Sequence, residues 1–173
     1  LDINFGLEII DFSAEMDAIN QLSSVEFQSW DSQKLSLVKS VGTEPSVNAH
    51  GDLTGKKLSA VGKSPKLALN TSVPEDSGLL KSWAKSHLQH SRLSKIRGFA
   101  SFVGNSAPLV GKLIKLAGFS PHFNGLAYLT KVVHIFEDGF WKTETGFGLQ
   151  PKTFTDSGNN IEGPSALGLL PAI

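Results

Sequence analysis

The side chains best able to bind or catalyse here are five histidines, sixteen carboxylates and three tryptophans. His87 and His90 lie three apart on a predicted helix, a spacing that can present two imidazoles to one metal ion. No carboxylate completes a recognised helical metal motif around them, so the reading is a partly buried His87 and an exposed His90. His50, His122 and His134 lie elsewhere. His134 alternates within a predicted strand and reads as a packed, hydrogen-bonded residue. The run from Gly104 to Lys112 approximates a phosphate loop. It has too many residues between its glycines, a proline inside, and Leu113 where Ser or Thr is required. It reads as a loop between strands, and Gly51 to Lys56 fails similarly. There is no Gly-x-Ser-x-Gly elbow and no cysteine to act as a thiol nucleophile. Glu137 and Asp138 are adjacent carboxylates, but in a turn, where Asp serves the backbone. Trp30, Trp83 and Trp141 could form a sugar platform, although their spacing fits core or interface packing better. The expectation is a protein that is not an enzyme and holds no metal or small-molecule cofactor.

The elements that would position these residues follow from two periodicities. Alternation of period two marks pleated strands at Ile96 to Val103, Tyr128 to Phe136 and Trp141 to Phe147, with a less regular run near Leu113 to Leu116. Asp138-Gly139 between the last two alternating runs is a hairpin signal. Lys95 to Gly148 therefore reads as a β-meander, and the strand at Tyr128 to Phe136, apolar on both faces, as covered on both sides. Upstream, Ile3 to Phe12 reads as one strand with Ile3, Phe5, Leu7 and Ile9 on one face. Glu15 to Leu22 is ambiguous, Val25 to Trp30 is a strand, and Lys34 to Val41 is strand or short helix. Thr43 to Gly51 is a polar loop. Asp52 can cap a short helix that stops at Gly62, and Lys66 to Asn70 is a short strand. The clearest helix spans about residues 74 to 91. Ser72 and Glu75 resemble a capping box, and Pro74 suits a first turn. Leu79, Leu80, Trp83, Ala84, His87 and Leu88 fall on one side of it, and Lys81, Lys85, Gln89 and Arg92 mostly on the other. The fold class expected is α+β, mainly antiparallel, with one packed helix.

Sixteen basic residues balance sixteen acidic ones, so no general field draws the chain to nucleic acid or an anionic membrane. No apolar run is long enough for a membrane helix. The first residues read as a strand rather than a signal peptide, as if the sequence were cut from a longer protein whose initial strands precede it. Residues 1–149 read as one module. Residues 150–173, rich in Thr, Ser, Asn and Gly before a Gly-Pro-Ser step, read as a linker or arm.

In order and spacing, several runs resemble the VgrG, or Rhs-element Vgr, family of spike proteins. They are Ile96-Arg97-Gly98-Phe99-Ala100 through Phe102 and Gly104, then Leu109-Val110-Gly111-Lys112-Leu113-Ile114, then Leu116-Ala117-Gly118. The run Phe123-Asn124-Gly125-Leu126-Ala127-Tyr128-Leu129-Thr130 continues into Val132, Val133 and His134. Trp141-Lys142-Thr143-Glu144 and, upstream, Ser29-Trp30-Asp31 match further strands, and Gly168 to Ile173 resembles the hand-over to a following spike domain. One departure is Val110, where the family pattern has proline, with Pro108 two residues earlier. The resemblance implies part of a phage baseplate-hub module built on tube-protein-like β-barrels. Three copies would dock a needle on a hexameric tube in a contractile injection apparatus, type VI secretion-like or phage-tail-like. It implies a homotrimer, an Hcp-like tube protein, a downstream needle domain and an effector as partners, with no nucleic acid and no membrane insertion. Assembly in the bacterial cytoplasm and later passage into a secreted or injected particle are also implied. Trp30, Phe140 and Trp141 are the candidate interface residues. The alternative is a carbohydrate-binding or hydrolytic module using the Trp and His residues.

Overall fold

The computed structural model describes residues 1–64, 66–71 and 73–151. Among these, the chain runs β1 (Asp2–Asn4), β2 (Ile9–Met16), β3 (Ser24–Asp31), β4 (Ser36–Val41), α1 (Gly55–Val61), β5 (Lys66–Thr71), α2 (Ser77–Leu93), β6 (Ile96–Val103), β7 (Leu113–Ala117), β8 (Gly125–Glu137) and β9 (Phe140–Phe147). The class is α+β and mainly antiparallel, as the periodicities require. The expected arm beyond residue 151 and Ser72 of the expected capping box lie outside the described residues.

Six strands form one sheet in the order β1-β7-β8-β9-β6-β2. β1 runs parallel to β7, and the antiparallel steps through β8, β9 and β6 bring β2 to the same direction as β1. Only residues 5–8 separate the two. A single bent strand therefore stands at both ends of the sheet, which must curl upon itself into a half-barrel. The continuous strand expected from Ile3 to Phe12 is broken at this corner. Gly6 takes φ +85° there, and the corner turns Phe5 and Leu7 into solvent, 60% and 81% exposed. Strands that switch between the two ends of a curled sheet commonly bend in this way.

Inside the curl, Ile3 from β1 packs with Ile96, Phe102, Ile114, Leu116, Leu129 and Phe147, while Phe12, Ala14 and Met16 of β2 close the other side. The Phe12 ring lies 4.0 Å from Phe119 and 6.0 Å from Phe147. Each large apolar side chain so buried contributes roughly 1.5–3 kcal/mol. Two polar residues share this inner face. Thr145 Oγ1 donates to Ala100 O at 3.2 Å, and Thr143 Oγ1 to Asn105 O at 3.1 Å, so neither hydroxyl is left unmet.

The Asp138-Gly139 hairpin forms as the dipeptide predicts, with φ +50° and +76° at its two central residues. The meander is reordered, however. β7, β8 and β9 are consecutive neighbours, but β6 pairs with β9 and not with β7. β7 is also short. Its ladder reaches Tyr128, Gly111 and Lys112 extend it to Leu129, and among the described residues nothing pairs with Thr130 to Glu137 on that side. Among the described residues, β8 packs on the core through its inner face only. On its outer face Lys131 is exposed, and Val133 and Ile135 are half-buried.

The second sheet has the order β4-β3-β5, which resolves Lys34 to Val41 as a strand. Helix α2 lies on one face, where Leu80, Ala84 and Leu88 pack on Val25 and Phe27. The helix begins at Ser77, capped by Asp76, whose carboxylate accepts from Gly78 N and Leu79 N. Helix α1 is capped by Thr54 rather than Asp52, and ends at Gly62 as expected. No helix among the described residues is long and apolar enough to cross a membrane.

Candidate functional site

A cavity of about 400 Å³ lies at the junction of the helix ends and the large sheet. Its walls come from the extended segment 44–50, the start of α1, the end of α2 and the first residues of β6, with Tyr128 opposite. Three basic residues hold this junction. Arg92 continues the buried stripe of Leu80, Ala84 and Leu88 and is only 4% exposed, which corrects its expected place on the polar side of the helix. Its guanidinium meets Glu44 twice, Nε to Oε1 at 2.6 Å and Nη2 to Oε2 at 3.1 Å, and donates from Nη1 to Leu22 O at 3.0 Å. The buried Gln21 amide completes the corner by donating to Ser91 O at 2.7 Å.

Lys95, 9% exposed, donates its ammonium to the carbonyls of His50 and, at 2.6 Å, Leu53. Burial holds its pKa below the usual lysine value, against a smaller opposing pull from Asp52. His50 is 6% exposed, with its ring edge towards Phe147. Its Nε2 lies 3.2 Å from Phe123 O. A carbonyl can only accept, so Nε2 carries the proton. Burial, reinforced by the Lys95 charge, lowers the His50 pKa to about 4, so the ring is neutral at pH 7. Beside it, His122 Nδ1 meets Asp52 Oδ1 at 2.7 Å on the surface, and this bond holds the Asp52 carboxyl below its usual range. These bonds fasten residues 48–53 to residues 122–126, together with Gly51 N to Asn124 O and Leu126 N to Ala49 O.

The residues singled out by sequence are dispersed. Trp30 is 52% exposed on the face of the small sheet away from α2, beside Leu37. Trp83 lies on the opposite side, edge-on to Phe27 at 5.7 Å. Trp141 belongs to the other sheet, stacked on Phe136 at 5.2 Å and pressed against Gly104, where a Cβ would overlap the indole. The three rings cannot form one platform. Phe140 is 52% exposed at the hairpin end. His87 packs near Phe27 at 5.4 Å. His90, expected to be exposed, is half-buried and has a partner. His134 is exposed at its outer edge while Nδ1 lies 3.0 Å from Thr143 Oγ1. Among the described residues, no group of three or more His, Asp or Glu could hold a metal ion. The loop 104–112 joins β6 to β7 as read, and Asn105 N donates to Thr143 Oγ1 at 3.0 Å. The junction was missed by sequence reasoning. Its one legible signal was a cation, Arg92, at the fourth position of the Leu80, Ala84, Leu88 stripe.

The fold is similar to that of two solved phage tail proteins. The 43 kDa tail protein of prophage MuSo2 from Shewanella oneidensis superposes with a TM-score of 0.59 at 10% identity, over 87% of this chain and 42% of that one. A tail protein from Neisseria meningitidis MC58 gives 0.57 at 13% identity, over 86% and 44%. The chain thus spans less than half the length of either tail protein. The model of the Alg8 N-terminal domain matches residues 1–138, and the chain belongs to that family. No curated protein matches it at a significant level.

Proposed function

We propose that the chain is part of the structural hub of a spike in a contractile injection apparatus, non-enzymatic and acting as a homotrimer. In that role it resembles the VgrG spike proteins and docks a needle domain, with its effector, on a hexameric, Hcp-like tube. The tail-protein fold supports a structural role, and the ordered strand motifs support the hub.

The observation that carries the reading is a pair of uncovered strand edges. Among the described residues β2 is bonded only on its β6 side, and β8 beyond Leu129 only on its β9 side. Each presents eight residues at opposite margins of the four strands β2-β6-β9-β8. Uncovered edges of this length are paired or covered in the proteins that keep them. A ring of copies supplies a neighbour for both. Trp30 and Phe140, half in solvent, and Trp141 at the same hairpin as Phe140 are the proposed contact residues, since large aromatics are enriched at interface cores.

Light scattering of the full-length protein tests the reading, with a trimer expected. A concentration-independent monomer at micromolar concentration would overturn it. The edge itself is tested by Val132→Pro. The two-residue turn makes Glu137 and Phe140 the first bonded pair, so Val132, His134 and Phe136 aim their backbone groups away from β9. Proline is tolerated at such an edge. The variant should fold as a monomer, and a trimeric variant would show that this edge is not used.

A further inference from the structure

We propose that the junction cavity binds a small monocarboxylic acid with an aliphatic or aromatic body, its carboxylate on the ammonium of Lys95 and its body against Val47, Leu93 and Ile96. This goes beyond the hub reading and does not depend on it.

Charge is the first argument. Around the cavity, Arg92 is neutralised by Glu44 through two bonds, and Asp52 is held by His122. His50 is neutral. Lys56 is exposed at the rim. Lys95 is left as a buried cation with no carboxylate within ion-pair distance among the described residues. Buried charges are ordinarily paired. The two carbonyls it meets, of His50 and Leu53, occupy two of its three donor hydrogens, which leaves one donor at a wall of the cavity.

Shape is the second. The volume of about 400 Å³ falls in the range of small-molecule sites. Pro45, Val47, Ala49, Leu53, Leu93 and Ile96 give most of its wall an apolar character. One cation in an apolar chamber selects an amphipathic anion rather than a multiply charged one.

Sodium hexanoate titrated into the full-length protein by calorimetry, with 1-hexanol as its neutral counterpart, tests the proposal. The expected result is one saturable site per chain. Hexanoate should bind about tenfold or more tightly than hexanol, the effect of one hydrogen bond to a charged group. Val47→Trp, which fills the chamber and leaves Lys95 in place, should abolish binding. Lys95→Met should remove the preference for the acid. If Lys95→Met fails to fold, Val47→Trp still decides. Absence of saturable binding, equal binding of acid and alcohol, or full binding by Val47→Trp would each overturn the assignment.

Discussion

Arg92 grips Glu44 through two parallel bonds, of 2.6 Å and 3.1 Å, from a position on the buried stripe of its helix. The two partners are unequal, because the Arg92 side chain is 3% exposed and that of Glu44 45%. Removing the buried partner takes the donor from Leu22 O, from the carboxylate and from Gln21 Oε1, which accepts from Arg92 Nη1 at 3.5 Å. Removing the exposed one leaves a buried guanidinium that keeps Leu22 O but has lost its counter-charge. Arg92→Met and Glu44→Gln should therefore each cost about 2–4 kcal/mol, as read from urea midpoints at constant slope. A Glu44→Gln variant as stable as wild type would show that the buried corner, and not the ion pair, carries the stability.

The pH dependence of stability should trace to His50. Its folded pKa of about 4 lies below the ordinary histidine value of 6.5. Between these values the unfolded chain binds a proton that the folded chain refuses. Stability is therefore fully present above the unfolded value and falls as pH drops from 6.5 towards 4. The whole loss is on the order of 3 kcal/mol. Urea unfolding at pH 7, 6, 5 and 4 should show this slope, and His50→Gln should flatten it. An unchanged slope in the variant would assign the titration elsewhere.

Gly104 leaves room for the Trp141 indole, and even a methyl group there must displace it. Gly104→Ala should destabilise by about 1–3 kcal/mol, as overpacking does, although glycine to alanine in a permissive site stabilises. A stability equal to or above wild type would mean that the hairpin end yields freely.

The proposed contact residues separate by how firmly each is held within its own chain. Trp141 is stacked and half-buried, so a charge there tests fold and assembly together. Trp30 and Phe140 are each 52% exposed. Trp30→Glu and Phe140→Glu should each change monomer stability by about 0.5 kcal/mol or less while reducing the trimer fraction in sedimentation velocity. A variant that keeps both its stability and its trimer removes that residue from the interface.

The fold was legible wherever local chemistry decides it. Asp138-Gly139 demands positive φ and received it. Gly62 closes α1, and α2 falls where the period-3.6 stripe lies. The corner at Gly6 was not legible. Ile3, Phe5, Leu7 and Ile9 alternate straight through it, and only the curl of the whole sheet rejects Phe5 and Leu7 from the core. The same holds for the β6–β9 pairing, because several orders bury the same alternating faces. At the junction, the backbone carbonyls of His50 and Leu53 are what Lys95 requires, and a carbonyl leaves no mark on residue type. Thr54, and not Asp52, is the helix cap because α1 begins at Gly55, which puts the Thr54 hydroxyl in reach of Lys57 N.

The bent strand also sets a timetable for synthesis. Ile3 needs Leu116 and Phe12 needs Ala100 before either has a bonded neighbour. The first sixteen residues leave the ribosome long before their partners and must wait unpaired while the small sheet and its helix, closer in sequence, can form. Closing so distant a contact comes late and slowly, since the entropy of the intervening loop must be overcome first. During that interval Ile3, Ile9, Phe12, Ala14 and Met16, which the finished core covers, stay unburied, and this is apolar surface that a chaperone would shield.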